Sequence, residues 1–114
     1  MKNKLESVRV AEAIQAEPQQ CYHNAFLVVT TLDEYHGADY VEGYAIVGNG
    51  APLEHGWIER DSEIIDPTFT TDDTIYFGGL RCHGAEELIR KLKELPKQLK
   101  DDLPLFYRFG WRAG

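Results

Sequence analysis

Residues 21–32, Cys-Tyr-His-Asn-Ala-Phe-Leu-Val-Val-Thr-Thr-Leu, are apolar on nearly every side of any regular arrangement. A segment of this kind must be surrounded, so the rest of the chain has to be built around it. Its β-branched run, Val28 to Thr31, suits a strand as well as a helix, and periodicity alone does not choose. Length does. Twelve residues following the break at Pro18 exceed an ordinary strand and predict a buried helix.

The flanking patterns supply the enclosure. Residues 4–16, with Leu5, Val8, Val10, Ala11, Ala13 and Ile14, suit a short amphipathic helix. After a polar loop at 33–39, residues 40–47 read as a strand turned by Gly48-Asn49-Gly50. Strands over 53–59 and 63–67 follow, joined by Glu59-Arg60-Asp61-Ser62, with a short one at 74–77. Gly78-Gly79 reads as a turn or a bulge. Leu88, Ile89, Leu92 and Leu95 line one face of a helix over 85–99, which Pro96 kinks or ends; Lys97 and Lys100 complement its dipole. A last strand runs over 103–109. Helices first, then strands, then helix and strand, predict an α+β fold with an antiparallel sheet. A chain of 114 residues fits one domain spanning 1–114. At this size roughly 65% of the unfolded surface can be buried without disulfides or metals.

The net charge of −7 excludes a general nucleic-acid binder and an anionic membrane surface as partners. Glu6, Arg9 and Glu12 interrupt any signal-peptide core, and 25–29 is too short to span a bilayer. The expectation is a cytoplasmic protein. In that compartment Cys21 and Cys82 are expected as free thiols.

Three residues then stand out: Cys21, His55 and Asp66. A thiol nucleophile needs a base, and the base needs a group that fixes its tautomer. Cys21 falls at the start of the second helix, where free N–H groups and the helix dipole favour thiolate over thiol. Its own N–H can serve as an oxyanion donor, with Gln15, Gln19 or Gln20 as candidate side-chain donors. If Ile58 pairs with Glu63, His55 falls opposite Asp66 on one face, with Cβ atoms roughly 4.5–5.5 Å apart. Taken singly, each residue has an ordinary use: a buried thiol, a core histidine, a turn aspartate.

Cys21-Tyr22-His23-Asn24-Ala25, Tyr40-Val41-Glu42-Gly43-Tyr44-Ala45, His55-Gly56-Trp57 and Ile65-Asp66-Pro67-Thr68 occur in the order seen in transglutaminase-like and papain-like cysteine proteases. The chain resembles that superfamily over roughly residues 15–70. The resemblance implies a core in which a cysteine opens a helix packed on an antiparallel sheet. It implies Cys21 as nucleophile, His55 as general base and then acid, and Asp66 as the orienting carboxylate. Trp57 would line the site, and an oxyanion glutamine is expected upstream of the cysteine, with Gln15 and Gln20 in competition. Tyr22, Asn24, Tyr44 and Tyr76 are further cleft candidates, and Glu42 supports the site or faces solvent.

Two rivals use the same residues. Cys21-x-His23 and Cys82-His83 offer metal ligands but match no structural zinc spacing, so no metal and no cofactor is expected. Cys82 precedes a helix but lacks a His-Asp hairpin after it. The reading is a thiol-dependent acyl-transfer enzyme acting on a peptide or small amide. The alternative is an inactive module that keeps the fold and binds a protein, or pairs as a homodimer, through Trp57, Tyr107, Phe109 and Trp111.

Overall fold

Helix α1 spans Lys4–Ile14 and α2 spans Cys21–Thr31. The computed structural model describes residues 1–94 and 103–105. The expected helix end with Leu95, Pro96, Lys97, Leu99 and Lys100 lies outside the described residues. So does the expected strand beyond 105, with Tyr107 and Phe109, and so does Trp111.

Asn3 caps α1: its side chain accepts the Glu6 N–H at 3.0 Å. The helix ends two residues short of expectation because Gln15 turns left-handed, at φ 55°. The turn through Pro18 then delivers the chain to α2, whose Ala25, Val28 and Val29 are fully buried.

Strands β1 (Asp39–Val47), β2 (Leu53–Arg60), β3 (Glu63–Ile65) and β4 (Thr74–His83) form one antiparallel sheet in the order β3-β2-β1-β4. With α1, α2 and α3 (Gly84–Lys93) this is a compact α+β domain. Among the described residues no helix is long and apolar enough to cross a membrane.

The β2–β3 hairpin departs from its expected register. Ile58 pairs with Ile65, not Glu63. The loop is two residues, Asp61 and Ser62, both at positive φ (53° and 65°). Such a turn matches the natural twist of the strands, whereas the four-residue loop read from the sequence does not require it. The shift is two residues, so side chains stay on their expected face. Asp66 therefore follows β3 instead of pairing within it, and Pro67 cannot continue the ladder.

Strand β4 runs six residues past its expected end at Phe77. Tyr44 and Gly43 pair with Phe77 and Gly78, but Glu42 pairs with Leu80. Gly79 is the extra residue of a bulge, so the glycine pair bends the strand without stopping it. The expected strand from 103 does not form over 103–105; Leu105 is instead buried in the core.

The pleat sorts the sheet into two faces. Ile58, Tyr40 and Cys82 join Val28 and Val29 of α2, Val10 of α1 and Leu88 of α3 in the main core. On the other face, Trp57 packs against Tyr76 at 4.9 Å between ring centroids. Gly56 sets how closely α2 approaches β2: a Cβ there would lie 2.8 Å from Tyr22 Cδ1 and 3.3 Å from its Cα. Gly56→Ala is expected to lower stability by about 1–3 kcal/mol in urea denaturation, through overpacking. In a Tyr22→Ala background the same change is expected to cost much less. Gly37→Ala, with nothing within 4 Å of the new Cβ, serves as the neutral comparison.

Candidate active site

The approach at Gly56 has a local consequence. Where Tyr22 packs over Gly56, α2 meets β2, and the Cys21 sulfur lies within hydrogen-bonding reach of the His55 ring. Cys21 is the first residue of α2 and is half-buried. The Asn24 N–H closes onto the Gln20 carbonyl at 2.8 Å, so the N–H groups of residues 21–23 stand ahead of the first helical hydrogen bond.

His55 is 1% exposed. Its Nε2 lies 2.8 Å from Asp66 Oδ2. Asp66 is fully buried, and both its oxygens are saturated. Oδ2 also accepts from the Tyr76 hydroxyl at 2.7 Å. Oδ1 accepts the N–H groups of Thr68 and Phe69 at 2.9 and 3.0 Å. Burial alone would raise the Asp66 pKa, but the hydrogen bonds from His55, Tyr76 and Phe69 and the His55 charge outweigh it and hold the carboxyl below its ordinary range. An ionised Asp66 requires the proton on Nε2, leaving Nδ1 as the nitrogen available to the thiol.

Burial works against a charged His55. Its interactions with Asp66 and with the Cys21 sulfur reverse that and push its pKa up to about 9. The ring is held roughly parallel to Phe69 at 4.5 Å and to Trp57 at 6.0 Å. The aspartate is anchored through its backbone too. Its N–H donates to Ser7 Oγ at 2.9 Å, and the Ser7 hydroxyl donates to the Asn3 carbonyl at 2.7 Å.

Several residues expected at the cleft have other positions. Trp57 is fully buried, with Nε1 donating to Glu59 at 3.0 Å, so it backs His55 and does not line an open cleft. As an exposed partner-binding aromatic it is likewise ruled out by burial. Glu42 does not face solvent. It is fully buried on the main-core face, accepting from the Tyr40 hydroxyl and the Leu105 N–H, both at 2.7 Å. Asn24 is also buried. Its amide donates to the Glu17 carbonyl at 2.8 Å and to Thr68 Oγ1 at 2.9 Å, and it accepts the Glu17 N–H at 3.2 Å. It thereby ties the turn before Cys21 to the loop after Asp66. Tyr22 is half-buried against Gly56, and Tyr44 is 39% exposed.

Gln15 and Gln20 are exposed and share a groove of about 300 Å³ with Glu17, His23 and Leu27. The groove runs beside the start of α2, and neither Cys21 nor His55 is among its lining residues. Cys82 is buried whole, and burial pushes its thiol up to about 12. Both cysteines are free. Among the described residues, no three His, Cys, Asp or Glu side chains converge as a metal site.

Sequence reasoning missed Ser7, Phe69 and the Tyr76–Asp66 bond. The Asp-Pro-Thr turn carried a signal for the Thr68 and Phe69 N–H groups, since Asp side chains characteristically cap the backbone that follows. Nothing local marks Ser7, which sits 59 residues from its partner. No protein-family model, no curated protein and no solved structure matches this chain.

The pair makes stability depend on pH. The His55 pKa is raised by folding, so its contribution is complete below the ordinary value of 6.5 and is lost as pH rises through about 9. Asp66 acts at the acid end, where stability is lost as pH falls through its depressed folded value. In denaturant titrations, wild type is expected to lose up to about 3 kcal/mol across the alkaline window. His55→Gln is expected to flatten that limb; an unchanged slope in the variant would refute the assignment.

Proposed function

We propose that this chain is a thiol-dependent acyl-transfer enzyme with a papain-like or transglutaminase-like core. The observation that carries the reading is the buried Asp66–His55 hydrogen bond of 2.8 Å beside the thiol that opens α2. A carboxylate saturated by donors holds one tautomer of the base. A His55 pKa near 9 favours an imidazolium at neutral pH, the partner a thiolate needs.

The chemistry follows from the atoms. The Cys21 thiolate attacks the carbonyl carbon of an amide or ester, and the carbonyl π electrons move to oxygen. The Cys21 N–H and one glutamine amide, from Gln20 or Gln15, stabilise that oxyanion. As the tetrahedral species collapses, the bond to the leaving group breaks. His55 passes the Nδ1 proton to the departing amine or alkoxide, leaving a thioester on Cys21. Water or an amine then attacks the thioester while His55 takes its proton. Collapse restores the thiolate–imidazolium pair and releases an acid or a new amide. Asp66 stays ionised throughout. Peptides, isopeptides and small amides are the proposed substrate classes.

Iodoacetamide tests the nucleophile. Stoichiometric labelling at Cys21 near neutral pH is expected, slowed more than about tenfold in His55→Ala. Labelling of Cys82 in the folded protein, or an equal rate in the variant, would sink the proposal. The two glutamines separate kinetically on a p-nitrophenyl ester. The true oxyanion donor should lose about 10²–10³ in kcat when changed to alanine, and the other little.

A further inference from the structure

The chain between β3 and β4, residues 66–73, carries Asp66, the two N–H groups that fill its Oδ1 and the Phe69 ring that faces His55. A cation reaches this loop from a distant part of the sequence. Residues 1–3 run alongside β3. Lys2 bridges to Ile64 in parallel, the Asn3 N–H donates to the Ile64 carbonyl at 2.8 Å, and the Ile64 N–H donates to the Met1 carbonyl at 3.0 Å. This pairing sets Lys2 beside the loop. Its ammonium donates to the Phe69 carbonyl at 2.6 Å, to the Asp72 carbonyl at 2.5 Å and to Thr74 Oγ1 at 3.0 Å. An ammonium has three donors, so each has an acceptor. The same nitrogen stands 5.4 Å from the centre of the Tyr76 ring.

We infer that Lys2 is a positioning residue for the His55–Asp66 pair, holding, through Phe69 and Tyr76, two of the four groups that donate to the Asp66 carboxylate. Its effect on Cys21 rests on the thiol reading above; its effect on the pair does not. Phe69 is held on both sides. Its N–H donates to Asp66 Oδ1 and its carbonyl accepts from Lys2, and its ring lies 4.5 Å from His55. Tyr76 is also held twice, with its hydroxyl on Asp66 Oδ2 and its ring facing the ammonium. Lys2 acts through charge as well. Burial lowers its pKa, and the Asp66 carboxylate is the strongest of the groups that oppose this. The attraction is mutual, so the ammonium favours an ionised Asp66. Lys4, from the same segment, pairs instead with the exposed carboxylate of Asp73 at 2.8 Å.

Two readouts test the inference: the iodoacetamide rate at Cys21, and the downfield proton NMR signal of the His55 N–H shared with Asp66. Lys2→Met keeps the apolar stem and removes the ammonium. It is expected to slow labelling about fivefold, the scale of changes that act through intermediate residues, and to move the N–H signal upfield or broaden it. Thr74→Val removes one acceptor of the ammonium and keeps a β-branched side chain in β4. It is expected to move both readouts the same way, with labelling slowed about twofold, and it serves where Lys2→Met does not fold. Lys4→Met is expected to leave both readouts unchanged. A Lys2 that served stability alone would lower the urea midpoint and leave the N–H signal where it is. An unmoved signal in Lys2→Met and Thr74→Val, or an equal effect from Lys4→Met, would overturn the inference. The N–H signal reports the pair without any thiol chemistry. If labelling proves independent of His55, the nucleophile fails, and the signal in Lys2→Met still decides the role of Lys2.

Discussion

The hydrogen bond between His55 and Asp66 holds a charge in the interior, and much of the architecture supports it. A buried carboxylate is costly unless its lone pairs are filled. Here they are filled from three directions: the imidazole from β2, the Tyr76 hydroxyl from β4, and two N–H groups from the turn that Asp66 itself begins. Ser7 adds a fourth direction by fixing the Asp66 backbone to α1. Removing any of the partners of the carboxylate leaves a charged group short of a donor. The same contacts that stabilise the carboxylate also clamp α1, the sheet and the loop after β3 in one arrangement.

Around that centre, precision comes from absence of side chains as much as from their presence. At Gly56 the missing Cβ lets α2 settle onto β2. At Gly43 a Cβ would lie 2.1 Å from the Phe77 carbonyl oxygen and 2.6 Å from the Trp57 ring, so β1 has to be bare where the bulged β4 crosses it. Asn24 completes the frame from the helix side, joining the turn before Cys21 to Thr68. The thiol, the imidazole and the carboxylate thus sit on separate elements whose mutual positions are set by packing outside the three residues themselves.

The sequence carried the order of the elements and the identity of the three central side chains because those depend on local pattern. An all-round apolar segment after a proline had to be a buried helix, and alternation marked the strands. Details that depend on distant partners were not visible. The hairpin register turned on whether Asp61 and Ser62 adopt positive φ, which neither residue type announces as Gly or Asn would. Glu42 reads as a solvated strand glutamate until Tyr40 and Leu105 are seen to satisfy it. Trp57 sits two residues from His55 in either reading, but only the folded sheet shows Tyr76 covering it. The glycine pair in β4 was legible as an interruption, and the choice between a turn and a bulge required knowing what β1 does at Glu42 and Gly43.

The tight two-residue hairpin also sets an order of assembly. His55 and Asp66 are 11 residues apart, within a single β2–β3 unit. Cys21 belongs to a helix that reaches this unit across a chain separation about three times as long, an added loop-closure cost of about 1 kcal/mol. Base and carboxylate therefore belong to one local folding unit, and the sulfur to another. The interaction between thiol and imidazole exists only once α2 has docked over Gly56, so thiol chemistry at Cys21 doubles as a report that the tertiary fold is complete.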